Sequence, residues 1–91
     1  MKSISFWRVL KSQEKGNVSR ILRRERELHN WSQVDLVQQI LGLCAKDGEH
    51  PGLTVKTVGR WERGECKPSS YYRRRLCQLF GKNAVQLGFV E

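Results

Sequence analysis

Apolar residues along this chain recur three and four positions apart rather than alternating, which is the spacing of helices with one buried face. A first helix is predicted over residues 18–29, with Val18, Ile21, Leu22 and Leu28 as its apolar positions. Arg20, Arg23, Arg24, Glu25 and Glu27 fall largely on the other faces, whereas Arg26, four residues after Leu22, falls on the apolar side. Asn30-Trp31-Ser32 reads as a turn covered by Trp31, and the Ser32 hydroxyl can accept from an orphan N–H of a second helix. That helix is predicted over 33–41, buried through Leu36, Val37, Ile40 and Leu41; Gly42 stops it, unless Leu43 and Cys44 add a turn. Residues 42–53, with three glycines and Pro51, form a loop longer than helix–helix connections usually are. Thr54 caps a third helix over 54–63, and Gly64 ends it. After a turn at 65–68, Ser69 or Ser70 caps a fourth helix over 71–80. It is apolar at Tyr72, Leu76, Leu79 and Phe80 and is closed by Gly81. Asn83 then caps a short fifth helix with Ala84, Val85 and Leu87, and Phe89 and Val90 dock onto the core.

The third helix divides its residues most sharply. At about 100° per residue, Val58, Trp61 and Glu62 cluster on one side, while Lys56, Gly59, Arg60 and Arg63 share the other. The outward strip holds hydrogen-bond donors and no carboxylate. Gly59 within it would let a partner approach the backbone, at a helix cost of ~1 kcal/mol. A buried carboxylate needs a partner, and the two inward charges, Arg26 and Glu62, are expected to pair as scaffold.

Composition and charge narrow the chemistry. Ninety-one residues suffice for one compact domain. Residues 1–17 form an arm or extension, in which Phe6, Trp7, Val9 and Leu10 are either core or partner contact, and residues 18–91 form the domain. The net charge of +8, from 17 Lys+Arg against 9 Asp+Glu, favours a polyanion as partner; an acidic protein or an anionic membrane surface would also fit. No apolar run is long enough to span a bilayer, and the N-terminus lacks the features of a signal peptide. Cys44, Cys66 and Cys77 have no tight spacing, which fits reduced thiols in the cytoplasm better than a disulfide framework; with His29 and His50 they would make only a scattered metal site. No catalytic constellation and no Gly-rich phosphate loop is present, so neither an enzyme nor a cofactor is expected.

The order of these residues resembles a known pattern. The stretches LRRERELHNWSQVDLVQQI and LTVKTVGRWERGECKPS are similar to the helix-turn-helix domain of the phage-repressor (Cro/C1, or Xre) family, and the resemblance covers roughly residues 18–88. The end of the chain, YYRRRLCQLFGKNAVQLGF, also resembles family domains at the front of large bacterial signalling ATPases. The resemblance implies an all-α, compact five-helix bundle, lambda-repressor-like, whose third helix enters the major groove. It implies base contacts from Thr54, Val55, Lys56 and Arg60, although Val55 either meets a thymine methyl or helps to bury the helix start. It also implies phosphate contacts from Ser32, Gln33, Lys67, Ser69 and Tyr71, and an inward pair of Arg26 with Glu62; Arg63, from its place on the strip, is either a further phosphate neighbour or idle surface charge. Of Arg73, Arg74 and Arg75, which cannot share one helix face, at most two can reach DNA. The chain departs from the family in the roughly ten extra residues between helices two and three, in Gly59, and in residues 1–17.

The expected function is that of a sequence-specific, double-stranded DNA-binding transcriptional regulator, bacterial or phage, cytoplasmic and associated with the nucleoid. A homodimer on paired half-sites is expected, joined through the Phe6/Trp7/Val9/Leu10 arm or the Leu87/Phe89/Val90 end. The alternative is a protein-interaction module, an antitoxin or the adaptor domain of a larger signalling protein, with a partner on residues 1–17 or 42–53. The long loop would either meet that partner or follow the DNA backbone through Lys46. RNA binding is a weaker option, because the chain lacks the aromatic platform usual for single strands.

Overall fold

In the computed structural model, residues 17–90 are described; the arm expected over residues 1–17 therefore lies outside the described residues except for Asn17, which opens the first helix. Four helices follow one another: α1 (Asn17–Leu28), α2 (Gln33–Lys46), α3 (Val55–Glu62) and α4 (Ser70–Phe80). No strand occurs among the described residues. α1 packs on α3, and α2 packs on both α3 and α4.

Local chemistry explains most boundaries. Asn30, at φ 60°, turns the chain out of α1. Ser32 and Asp35 then form a reciprocal cap, the Asp35 N–H donating to Ser32 Oγ at 3.1 Å and the Ser32 N–H to Asp35 Oδ2 at 2.9 Å. α2 does not stop at Gly42. Nothing there requires a left-handed backbone, and continuing the helix sets Cys44 one turn after Ile40, where both are fully buried. The helix ends instead before Gly48, at φ 74°, so the irregular connection spans residues 47–54 rather than starting at 42. Thr54 caps α3 by accepting from the Thr57 N–H. Gly64 at φ 76° and Gly81 at φ 65° turn the chain after α3 and α4. Ser69 occupies the N-cap position of α4 without a side-chain cap bond.

The expected fifth helix is a single capped turn. Asn83 and Gln86 exchange side-chain and backbone bonds at 2.8 and 2.9 Å, but Gly88 at φ 80° breaks the chain before a second turn can form. Leu87 still reaches the core, with no exposure, and Phe89 is half-buried, whereas Val90 stays in solvent.

Leu22, Leu36, Ile40, Cys44, Val58, Leu76 and Leu87 are fully buried, and Trp61 nearly so. Trp31 stacks on His29 with ring centroids 4.5 Å apart and tilts against Phe80, covering the α1–α2 turn. Two charged residues not expected in the interior are buried. Leu28 is exposed, whereas Glu25 is buried and accepts from Lys82 Nζ at 2.6 Å, tying α1 to the segment after α4. Arg75, also buried, donates to Asp47 and Glu49 at 2.7 Å each and pins the long connection onto α4.

Candidate nucleic-acid interface

The inward side of α3 is anchored at three residues. Val58 and Trp61 enter the core, and the Trp61 ring lies 5.5 Å from that of Tyr72. Glu62 receives Arg26 in a two-pronged bond, Nε to Oε2 at 2.7 Å and Nη2 to Oε1 at 2.9 Å. Arg26 Nη1 also donates to the Trp31 carbonyl at 2.8 Å, and Gln33 Nε2 to Glu62 Oε1 at 3.1 Å. One carboxylate thus joins α1, the α1–α2 turn, the start of α2 and the end of α3. The hydrogen bond to Glu62 outweighs the cost of burial and raises the Arg26 guanidinium further above its already high value.

The outward side presents Thr54, Val55, Lys56 and Arg60, all exposed. Lys56 and Arg60 make no hydrogen bond or ion pair among the described residues, so their charged ends are open to a ligand. The Thr54 hydroxyl is engaged in capping. Gly59 belongs to the same strip by position, yet it is buried, because the Arg63 side chain lies across it. Arg63 in turn donates to Glu65 at 2.6 Å, so a carboxylate from the following turn reaches the strip. The glycine therefore admits an arginine of its own chain.

The residues expected at phosphate are not equally available. Ser32 is exposed, but its hydroxyl and backbone are joined to Asp35. The Gln33 amide is turned to Glu62. Lys67 and Ser69 are exposed on either side of buried Pro68, ahead of the first N–H groups of α4. Tyr71 is engaged by the long connection. Its hydroxyl donates to Glu49 at 2.5 Å with Cys44 Sγ 3.3 Å away, and these neighbours push its pKa up to about 12. Among the three consecutive arginines, Arg75 is structural, Arg73 donates to the Pro68 carbonyl, and Arg74 is exposed.

Sequence reasoning missed Glu65 beside the strip, the Glu25–Lys82 pair and the Arg75 cluster. The acidic pair Asp47/Glu49 in an otherwise glycine-rich loop was the available signal for the last of these. An open cleft of about 400 Å³ lies beside it, lined by Asp47, Glu49, Tyr71, Arg74, Arg75 and Gln78, but Asp47, Glu49, Tyr71 and Arg75 bond to one another. Among the described residues no group of His, Cys, Asp and Glu could hold a metal ion, and no helix is long and apolar enough to cross a membrane. Cys44, Cys66 and Cys77 form no disulfide. Compared with known proteins, the chain matches no family model, no curated protein and no solved structure.

Proposed function

We propose that this chain is a sequence-specific, double-stranded DNA-binding domain of the helix-turn-helix kind, a repressor-like transcriptional regulator working on the bacterial nucleoid. The observation that carries the reading is the division of α3. Lys56 and Arg60 are exposed and unpaired on one side, while Val58, Trp61 and the Arg26-bound Glu62 fix the other. A B-form major groove admits an α-helix, and lysine or arginine donates there to guanine O6 and N7. Thr54 and Val55 at the exposed start of the same helix meet base edges or a thymine methyl. Lys67 and Ser69 meet the phosphate backbone, with backbone N–H groups at the start of α4. An eight-residue helix spans few base pairs, so a pair of domains on two half-sites supplies the affinity.

Selection from random duplex DNA, followed by fluorescence anisotropy on the enriched sequence, tests the reading. A palindromic consensus is expected. Arg60→Ala should weaken specific binding by ~1–3 kcal/mol, the discrimination of one two-pronged arginine–guanine contact, without changing the circular dichroism spectrum. Absence of any enriched duplex would overturn the reading; unchanged affinity in the variant would overturn the assignment of Arg60.

A further inference from the structure

The C-terminal end of the α3 strip carries a device that base reading alone does not require. Arg63, one turn after Gly59, folds back along the helix. Its Nη1 stands 2.9 Å from where a Cβ on Gly59 would lie, so any larger residue there would have to displace it. The same guanidinium donates through Nε to Glu65 at 2.6 Å, and both side chains are more than half exposed. Glu65 is held below the usual carboxylate range chiefly by that hydrogen bond, with a further contribution from the charge of Arg60.

We infer that Glu65 sets the specificity of the α3 face, holding Arg63 across Gly59 and away from the DNA backbone so that Lys56 and Arg60 meet bases without an added sequence-independent attraction. The inference rests on the DNA reading above. Phosphate contacts position a protein but carry no sequence information. Each one neutralised by an arginine releases counterions; on a random duplex, where no base contact fixes the register, a freed Arg63 always finds a phosphate, whereas on the selected duplex Lys56 and Arg60 fix its position and the gain is smaller. An exposed ion pair is weak in itself, so the hold on Arg63 need not be permanent. The carboxylate stays at the end of the strip whichever way Arg63 turns, and there it cancels one positive charge and repels phosphate. Specificity is a difference between affinities, and a repulsive group beside the reading face raises it by lowering the wrong one.

The test uses the full chain, with Glu65→Gln as the variant; side chains this exposed leave the fold intact. Binding to the selected duplex and to a random duplex is followed by anisotropy between 50 and 200 mM salt. The variant should bind random duplex more tightly, with the slope of log K against log salt steeper by about 0.9. Its advantage at 50 mM should then exceed that at 200 mM by about 3.5-fold, and the ratio of specific to random affinity should fall. Adding Arg63→Ala to Glu65→Gln should return the slope to that of the wild type. Equal slopes for wild type and Glu65→Gln, with the wild type binding its selected duplex, overturn this inference and leave the DNA reading standing. A slope that stays steep in the double variant also overturns it, because the gain would not run through Arg63. A wild type that binds no duplex overturns both.

Discussion

Replacing Glu62 by alanine should remove a large share of the stability of this domain, and the structure lets the loss be worked out. The Glu62 carboxylate is only 5% exposed and its partner Arg26 only 13%, so solvent screens the pair little. The carboxylate accepts from Arg26 Nε and Nη2 and from Gln33 Nε2. Without it, a guanidinium that has given up its water keeps only the Trp31 carbonyl. Breaking a buried pair from one side costs about 3–5 kcal/mol. A domain of this size has roughly 5–10 kcal/mol in all. The midpoint of thermal unfolding should fall by roughly 12–40 °C, at ~4–8 °C per kcal/mol. Arg26→Met should do similar damage by stranding the carboxylate. The double variant Arg26→Met/Glu62→Leu, which fills the space without stranding a charge, should recover to within about 1 kcal/mol of the wild type. Urea unfolding followed by far-ultraviolet circular dichroism on the four proteins gives the coupling energy directly. A value above about 2 kcal/mol is expected. A value below about 0.5 kcal/mol would refute the argument that this pair fixes α1 against α3.

Other outcomes follow from the same contacts. Gly59→Ala should raise stability by up to ~1 kcal/mol, because helix propensity improves and the added methyl meets only the movable end of Arg63; a destabilised variant in thermal unfolding would show that the arginine cannot yield. Tyr71 is shifted from 10.0 to about 12 by Cys44 first and Glu49 second, so its neutral form is favoured in the fold. That contribution is whole below pH 10 and disappears as pH climbs through 12, so Tyr71→Phe should remove the latest step in tyrosinate absorbance, while Tyr72, itself raised by burial, keeps a step of its own. Arg75→Met should free the 47–54 connection from α4 and speed tryptic cleavage after Lys46; an unchanged cleavage rate would mean that other contacts hold the loop.

How far the sequence could be read depended on whether polarity and position agreed. The inward pairing of Arg26 and Glu62 was legible because each charge stood on an apolar side, where an unpaired one is too costly. Glu25 stood just as plainly in line with Val18 and Leu22, seven and three residues on, but sorting by residue type sent it outward. Only Lys82, from the segment after α4, makes its burial tolerable, and no helix wheel contains that residue. Leu28 failed the opposite way, since it lies in the last turn of α1 and is left in solvent. Gly42 looked like a helix stop, but glycine ends a helix where a left-handed backbone is needed, and burying Cys44 favoured carrying on. The fifth helix was overextended because Gly88 was not weighed as the breaker.

The exposure of Lys56 and Arg60 has a cause in the rest of the molecule. An eight-residue helix is marginal alone, so α3 takes its orientation from Val58, Trp61 and Glu62. What its outer face then offers depends on where the acids have gone. Each described carboxylate is already engaged: Glu25 by Lys82, Glu27 by Arg23, Asp35 by the α2 cap, Asp47 and Glu49 by Arg75, Glu62 by Arg26 and Glu65 by Arg63. Intramolecular pairing thus consumes the negative charge, all but that of Glu65 away from the strip, and the surplus of a chain with net charge +8 is left on the surface. A basic strip open to an outside anion follows from that distribution as much as from the residues of α3 themselves. For the same reason a single added carboxylate on the strip, or a single one removed at Glu65, changes the face more than its share of the total charge would suggest.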